Sequence, residues 1–234
     1  MENVSCIVTF HNERYFAHSM LTSLKESYAS AAKCKDVRFE FLFVLDNADN
    51  TTSEIVRTFN SEFDPGSVVI YETSFGDPAL SRNYGIKKSE GKIISIFDGD
   101  DLYSSEYLER VVKEAIKNPN ALIHPEILYS FGKNESIVFI PDSNDIPLSD
   151  HYSYNPYQSS VTANRKIFER CPYAQNLPGI GYEDWTFNCD VLAAGFCHKT
   201  APGAIRFYRC GNGQGVFERQ KSQNCIVGPS SLWD

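Results

Sequence analysis

The chain has 234 residues, of which 42% are hydrophobic, 13% aromatic and 22% charged, a globular composition that excludes a disordered or collagen-like polymer. Thirty acidic residues against 22 Lys and Arg leave a formal charge of −8, which excludes a protein that coats nucleic acid, because that affinity comes from basic side chains meeting phosphates. The longest apolar runs, Phe41 to Leu45 and the near-continuous Ile93 to Phe97, are about five residues against the roughly 20 that a bilayer span needs.

Val4 to Phe10 reads as a first strand, and Asn12 as the cap of a helix whose apolar positions Phe16, Met20, Leu21 and Leu24 recur every three to four residues. Val37 to Asp46 is a second strand, and Thr51-Thr52-Ser53-Glu54 has the pattern of a capping box opening a helix. Ser67 to Tyr71 is a third strand. Asp77-Pro78 supplies an N-cap and a first-turn proline for a helix that runs to about Ser89 and ends by Gly91. Lys92 to Asp98 is a fourth strand, and Tyr107, Leu108, Val111, Val112, Ala115 and Ile116 mark a helix stopped by Asn118-Pro119-Asn120. Strands alternating with helices predict βαβ units around a buried parallel sheet. Beyond residue 120 the alternation fails: Ser136 to Ile140, Ser159 to Ala163 and Cys197 to Tyr208 read as strands of an antiparallel or mixed half. One further helix carries Trp185, Cys189 and Leu192 as its apolar stripe and ends at Gly195, and residues 211–234 read as a loop or tail running on into a longer chain.

Ligands of open α/β sheets bind beyond the carboxyl ends of the strands. There stand Thr9, His11 and Asn12, then Asp46 and Asn47, then Asp98-Gly99-Asp100-Asp101. Three acids within four residues repel one another, and a divalent cation with open water positions, Mg²⁺ or Mn²⁺, resolves the repulsion and bridges to phosphate oxygens. The same acids also suit a turn and N-cap before a helix near Ser104, with Asp101 as its start. An Asp-x-Asp after a strand also serves phosphohydrolases of the haloacid dehalogenase type, although those place it near the N-terminus and have Thr or Val where this chain has Leu102. His18, His124, His151 and His198 lack metal-ligand spacing and read as structural or surface residues, while the stretch from His151 to Tyr157 is either a stacking platform for a sugar or an ordinary packed loop.

The blocks Val4 to Glu13, Phe43 to Asn47, Ser81 to Ile86 with Glu90-Gly91, Ile96 to Asp101, and Gly181 to Trp185 resemble the successive blocks of glycosyltransferase family 2, in order, over residues 4 to about 209. The resemblance implies the α/β GT-A fold: a Rossmann-like, mostly parallel central sheet flanked by helices, with a mixed or antiparallel acceptor-side half. On that reading residues 1–210 form one domain, about 1–102 binding the nucleotide sugar and 103–210 the acceptor. It further implies a nucleoside diphosphate sugar donor, UDP first among them, a Mn²⁺ or Mg²⁺ cofactor, and inversion at the anomeric carbon.

Carried over by position, Thr9, His11, Asp46, Asn47, Arg82 and Asp98 hold the nucleotide sugar. Asp100, with Asp98, holds the metal, Asp184 is the base, and Glu183 and Trp185 lie on the acceptor side. The family usually has two acids where this chain has Asp46-Asn47, and many relatives have a histidine where it has Cys210-Gly211-Asn212. The Gln-x-x-Arg-Trp motif of processive synthases is absent, which favours transfer of a single sugar to a glycan or lipid-linked acceptor. A catalytically silent nucleotide- or glycan-binding module is the alternative. Seven cysteines without a Cys-x-x-Cys pair, and an N-terminus without a basic n-region, predict a cytoplasmic protein, compatible with peripheral attachment to the cytoplasmic face of a membrane.

Overall fold

The computed structural model describes residues 2–34, 36–210 and 216–233. Its first half follows the alternation: β1 (Glu2–Phe10), α1 (Ala17–Ala31), β2 (Val37–Asp46), α2 (Asn50–Phe59), β3 (Val68–Thr73), α3 (Pro78–Lys88) and β4 (Ile93–Asp98). Then come β5 (Leu102–Tyr103), α4 (Tyr107–Lys117), β6 (Ala121–Gly132), β7 (Ser136–Phe139), β8 (Thr162–Asn164), α5 (Arg165–Arg170), β9 (Ile180–Gly181), α6 (Glu183–Ala193), β10 (Cys197–Cys210), α7 (Val216–Ser222) and β11 (Ile226–Val227).

One sheet runs through both halves in the order β3-β2-β1-β4-β8-β6-β10-β5, with β7 beside β6. β3, β2, β1 and β4 are parallel; β8 is antiparallel to both its neighbours, β6 and β10 are parallel, and β5 is antiparallel to β10. The period of two in β1 splits the core: Cys6, Val8 and Phe10 pack with Met20, Leu21 and Leu24 of α1 and Val111 of α4, whereas Ile7 packs with Ile86 of α3, Ile167 of α5 and Phe187 of α6. Among the described residues no helix is long and apolar enough to cross a membrane, and all seven cysteines are free thiols.

Several local expectations are corrected. The cap of α2 is Asp49, whose carboxylate accepts from the Thr51 and Thr52 amides, so the chain uses an acid two residues before the Thr-Thr-Ser-Glu run. Asn12 caps nothing, because α1 starts only at Ala17 behind Phe16. Asp77 and Pro78 do open α3, with Asp77 accepting from Leu80 N. The long strand β6 escapes the sequence because Pro125 interrupts it. Pro125 sits where β10 bulges between Ala201 and Ile205, the kind of place where a sheet tolerates proline. Along α6 the buried positions are Glu183, Thr186, Phe187, Asn188, Cys189 and Val191, so Trp185 and Leu192 stand at the margin of the stripe. Residues 216–233 form a helix and a strand rather than a tail; residues 211–215 lie outside the described ones.

Gly91 does not end α3; it lets β1 pass. A Cβ there would lie 2.4 Å from Ser5 Oγ and 2.6 Å from the Ser5 backbone nitrogen, while Gly91 N donates to that same Oγ at 2.7 Å. Because the obstacle includes backbone, Gly91→Ala should cost about 1–3 kcal/mol of stability, the usual penalty for overpacking. Urea unfolding checks this, and an unchanged midpoint would contradict it.

The histidines at 124, 151 and 198 pack around Tyr157, whose ring stacks on His198 at 3.9 Å and on His124 at 4.7 Å. His198 Nε2 donates to the Asn188 carbonyl at 3.0 Å, so its Nδ1 is the acceptor of His124 Nε2–H at 2.8 Å. Burial pushes both rings below the usual histidine range, His198 down to about 3, which keeps them neutral.

Candidate active site

The carboxyl ends of β1, β2 and β4 meet the N-termini of α3 and α6, and the expected residues lie around that junction. Thr9 is level with Asp98 in the β1/β4 register, and its carbonyl accepts from Gly99 N at 3.1 Å. Gly99 is pressed so close that a Cβ would meet this carbonyl at 2.8 Å, so the Asp-Gly-Asp-Asp turn requires glycine at its second place. His11 is exposed, with Nδ1 donating to the Asp46 carbonyl at 2.7 Å.

Asp46 does something other than offer a carboxylate to a base. It is buried, and its oxygens accept from Thr73 Oγ1 at 3.1 Å, Phe75 N at 2.6 Å and Asp77 N at 3.2 Å, tying down the loop that enters α3. The exposed amide at this corner belongs to Asn47, which takes a left-handed backbone with φ 49°. An asparagine adopts that conformation at less cost than most residues.

Arg82 is likewise turned inward. Its guanidinium donates to Asp98 Oδ1 at 2.9 Å and to Glu183 Oε1 at 3.0 Å, and lies over the Tyr173 ring at 5.3 Å. Asp98 is saturated, since its Oδ2 also accepts from Arg206 at 3.0 Å and from Ser159 Oγ at 2.5 Å. Burial opposes its charge, but Arg82 and Arg206 outweigh burial and hold the carboxyl down at about 2. A metal bonded directly to Asp98 would have to displace one of these donors.

Asp101 is corrected too: it starts no helix. It is fully buried and paired with Arg206, whose Nε donates to Oδ2 at 2.5 Å, while Oδ1 has no partner among the described residues. Arg206 was not singled out from the sequence; the available signal was a cation in the apolar run Ala204 to Phe207 of a strand.

Asp100 differs from its neighbours. Among the described residues no side chain pairs with its carboxylate, and burial, followed by Asp98, pushes it above the usual carboxylate range. Glu13 faces it and is pushed up to about 7, chiefly by burial, although its carboxylate accepts the His11 amide. Arg209, whose charge also acts on Asp100, lies over the Phe16 ring at 4.2 Å and the Phe131 ring at 4.7 Å and has no carboxylate partner among the described residues. Two arginines therefore face Asp98, Asp101 and Glu183, with Asp100 and Asp184 beside them. The acids are in excess, although among the described residues no three His, Cys, Asp or Glu side chains converge as a ready metal site, so Asp100 is the one carboxylate here left open to an added cation.

Asp184 opens α6 with Glu183. Its Oδ1 accepts from Trp185 N at 2.8 Å, and Asn155 Nδ2 approaches Oδ2 at 3.4 Å. Burial, followed by the Glu183 charge, pushes the carboxyl up to about 6. Trp185 is half-buried, with Nε1 donating to the His151 carbonyl at 2.9 Å, and so it pins the aromatic loop against α6.

Residues 5–173 match the family described as Glycosyl transferase family 2. The chain belongs to glycosyltransferase family 2. An uncharacterized glycosyltransferase of Haemophilus influenzae is 23% identical over 194 residues, 82% of this chain and 72% of that protein. Glycosyltransferase AglE of Haloferax volcanii is 30% identical over 109 residues, which cover 47% of this chain and 34% of AglE. Among solved structures, S. aureus TarS 1–349 in complex with UDP-GlcNAc superposes with a TM-score of 0.71 at 16% identity, covering 92% of this chain and 60% of that one. The complex of TarS 1–349 with UDP superposes with a TM-score of 0.69. The fold is thus the GT-A arrangement that the family 2 blocks imply, and the chain spans about three fifths of the length of those TarS structures.

Proposed function

We propose that this glycosyltransferase moves a single sugar from a UDP-sugar to a hydroxyl of a glycan or lipid-linked acceptor, with inversion, on the cytoplasmic side. The observation that carries the reading is Asp184. It is a carboxylate at a helix start with no ion-pair partner among the described residues, and burial followed by the Glu183 charge raises its proton affinity into the range of a working general base. A silent binding module needs no such group. UDP as the nucleotide is supported by the TarS complexes with UDP and UDP-GlcNAc, which share this fold.

The acceptor hydroxyl gives its proton to Asp184 as it attacks the anomeric carbon from the side opposite the diphosphate, a single displacement that inverts the centre. Thr9, His11 and Asn47 flank the corner where a base would lie, and Asp98, locked by two arginines, forms the wall beneath the ribose. Asp100 would hold a Mn²⁺ or Mg²⁺ ion. Bound there, the ion supplies neutralisation of charge on the departing diphosphate.

Asp100→Ala should therefore lose the metal-dependent part of UDP binding. Isothermal titration with UDP, with and without Mn²⁺, reads this directly, and equal affinity in wild type and variant with the metal present would remove Asp100 from the site. A thermal-shift panel of UDP-, GDP-, dTDP- and CMP-sugars tests the donor itself. At 100 times its dissociation constant a true donor adds about 2.7 kcal/mol of stability.

A further inference from the structure

The segment after residue 215 is strapped across the start of α6. β11 pairs in parallel with β9, matching Ile226 to Ile180 and Val227 to Gly181. Further on, Ser230 Oγ and Ser231 N donate to Asp190 Oδ1 at 2.7 and 3.1 Å, one turn or more beyond Asp184 on the same helix. Between these anchors and the sheet lies Gln220 of α7, only 6% exposed.

Its amide is fully engaged. Oε1 accepts from Tyr182 N at 3.1 Å, and Nε2 donates to Asn176 Oδ1 at 3.2 Å and to Glu183 Oε2 at 3.4 Å. The orientation is fixed by its partners, because a flipped amide would set its NH₂ against the Tyr182 N–H. Two features of the turn before α6 follow. Tyr182, at φ 59°, is a left-handed non-glycine residue, and its amide donates to the Gln220 oxygen across the strap. Gly181 leaves room for that amide, because a Cβ there would fall 2.7 Å from the Gln220 amide group and the glutamine would have to move.

We propose that Gln220 is a positioning residue for the transfer: through the Tyr182 amide and the Glu183 carboxylate it fixes the first turn of α6, and with it the place of Asp184. The inference rests on the reading of Asp184 as the base. Glu183 receives Arg82 on one oxygen and Asn176 with Gln220 on the other, so the strap and the Asp98 end of the donor site grip one carboxylate from opposite sides.

The test compares Gln220→Leu with the near-isosteric Gln220→Glu, which keeps an acceptor for Tyr182 N but turns a carboxylate oxygen on Glu183. Hydrolysis of UDP-GlcNAc with Mn²⁺, using water as acceptor, should show kcat lower by about tenfold or more in both variants, the scale expected for a misplaced reacting group, with KM within twofold. Amide hydrogen exchange at Tyr182 should quicken by at least about tenfold in the leucine variant, while β1 and β4 stay protected, because an amide loses protection with its acceptor. If kcat and the Tyr182 exchange rate match wild type, or if KM rises in step with the loss of kcat, the inference is overturned. Asp184→Asn run in parallel separates the two readings: normal turnover in that variant removes the base assignment, whereas an inactive Asp184→Asn beside a fully active Gln220→Leu removes only the role of Gln220. If wild type does not hydrolyse UDP-GlcNAc, the donor reading falls, and the Tyr182 exchange rate alone decides the structural link.

Discussion

Asp184→Asn should lower turnover by at least about 100-fold while leaving UDP affinity and thermal stability nearly unchanged, within the usual range for a lost general base. The substitution keeps the oxygen that accepts from Trp185 N, so the first turn of α6 remains tied and only basicity is lost. An alcohol is a weak nucleophile at neutral pH, and no other carboxylate at this end of α6 is available: Glu183 is committed to Arg82, Asn176 and Gln220. The pH dependence has a defined sign. Since burial and Glu183 push the Asp184 carboxyl up to about 6, kcat/KM of the wild type should fall as pH drops through about 6, where the base becomes protonated. A variant with near-normal transfer, or a rate indifferent to pH between about 5 and 7, would take Asp184 out of the mechanism.

Arg206→Leu should be strongly destabilising, costing about 3–5 kcal/mol, because it strips one cation from two buried acids, Asp98 and Asp101, and leaves them behind. For a chain of this size that corresponds to a fall in Tm of roughly 6–20 °C. Asp101 has no exposure and no other cation in contact, and Asp98 would keep only Arg82. Removing both partners of the inner pair, as Arg206→Leu with Asp101→Leu, should recover much of the loss, since an apolar pair avoids the desolvation cost. Burial pushes the Asp101 carboxyl up to about 8 even beside Arg206, and a single variant within about 1 kcal/mol of wild type would mean that Asp101 sits protonated and has no need of the arginine. From the sequence Asp101 reads as the start of a helix, whereas the structure buries it against Arg206.

That difference marks the limit of what the sequence could say. Strands β1 to β4 and helices α1 to α4 were legible within a few residues because each carries its own periodicity, and α3 also its own cap at Asp77-Pro78. The site was legible as a set of positions, since Thr9, Asp46, Asp98 to Asp101 and Glu183-Asp184 all stand just past an apolar run or at a helix start. Their tasks were not. Whether Asp46 faces a ligand or a loop amide, and whether Arg82 faces a nucleotide or Glu183, depends on contacts 27 to 101 residues away in the chain. Gln220 was invisible for the same reason: nothing in its own neighbourhood distinguishes it from any polar residue of a short helix. The strand β6 was lost because its proline sits opposite a bulge in a strand some 75 residues later, an accommodation that local sequence does not announce.

The continuity of the sheet from β3 to β5 also bears on how such a chain can be recombined. Cut after Leu102, the two pieces would part Asp98 and Asp101 from Arg206, and Arg82 from Glu183, so each would carry buried charges whose partners lie on the other piece. The parts of the chain before and after residue 102 therefore cannot be exchanged with those of a relative as interchangeable modules. A working chimera would have to transplant the two arginines and their acids as one set, because the buried ion pairs of Arg82 with Glu183 and of Arg206 with Asp98 and Asp101 all span that cut.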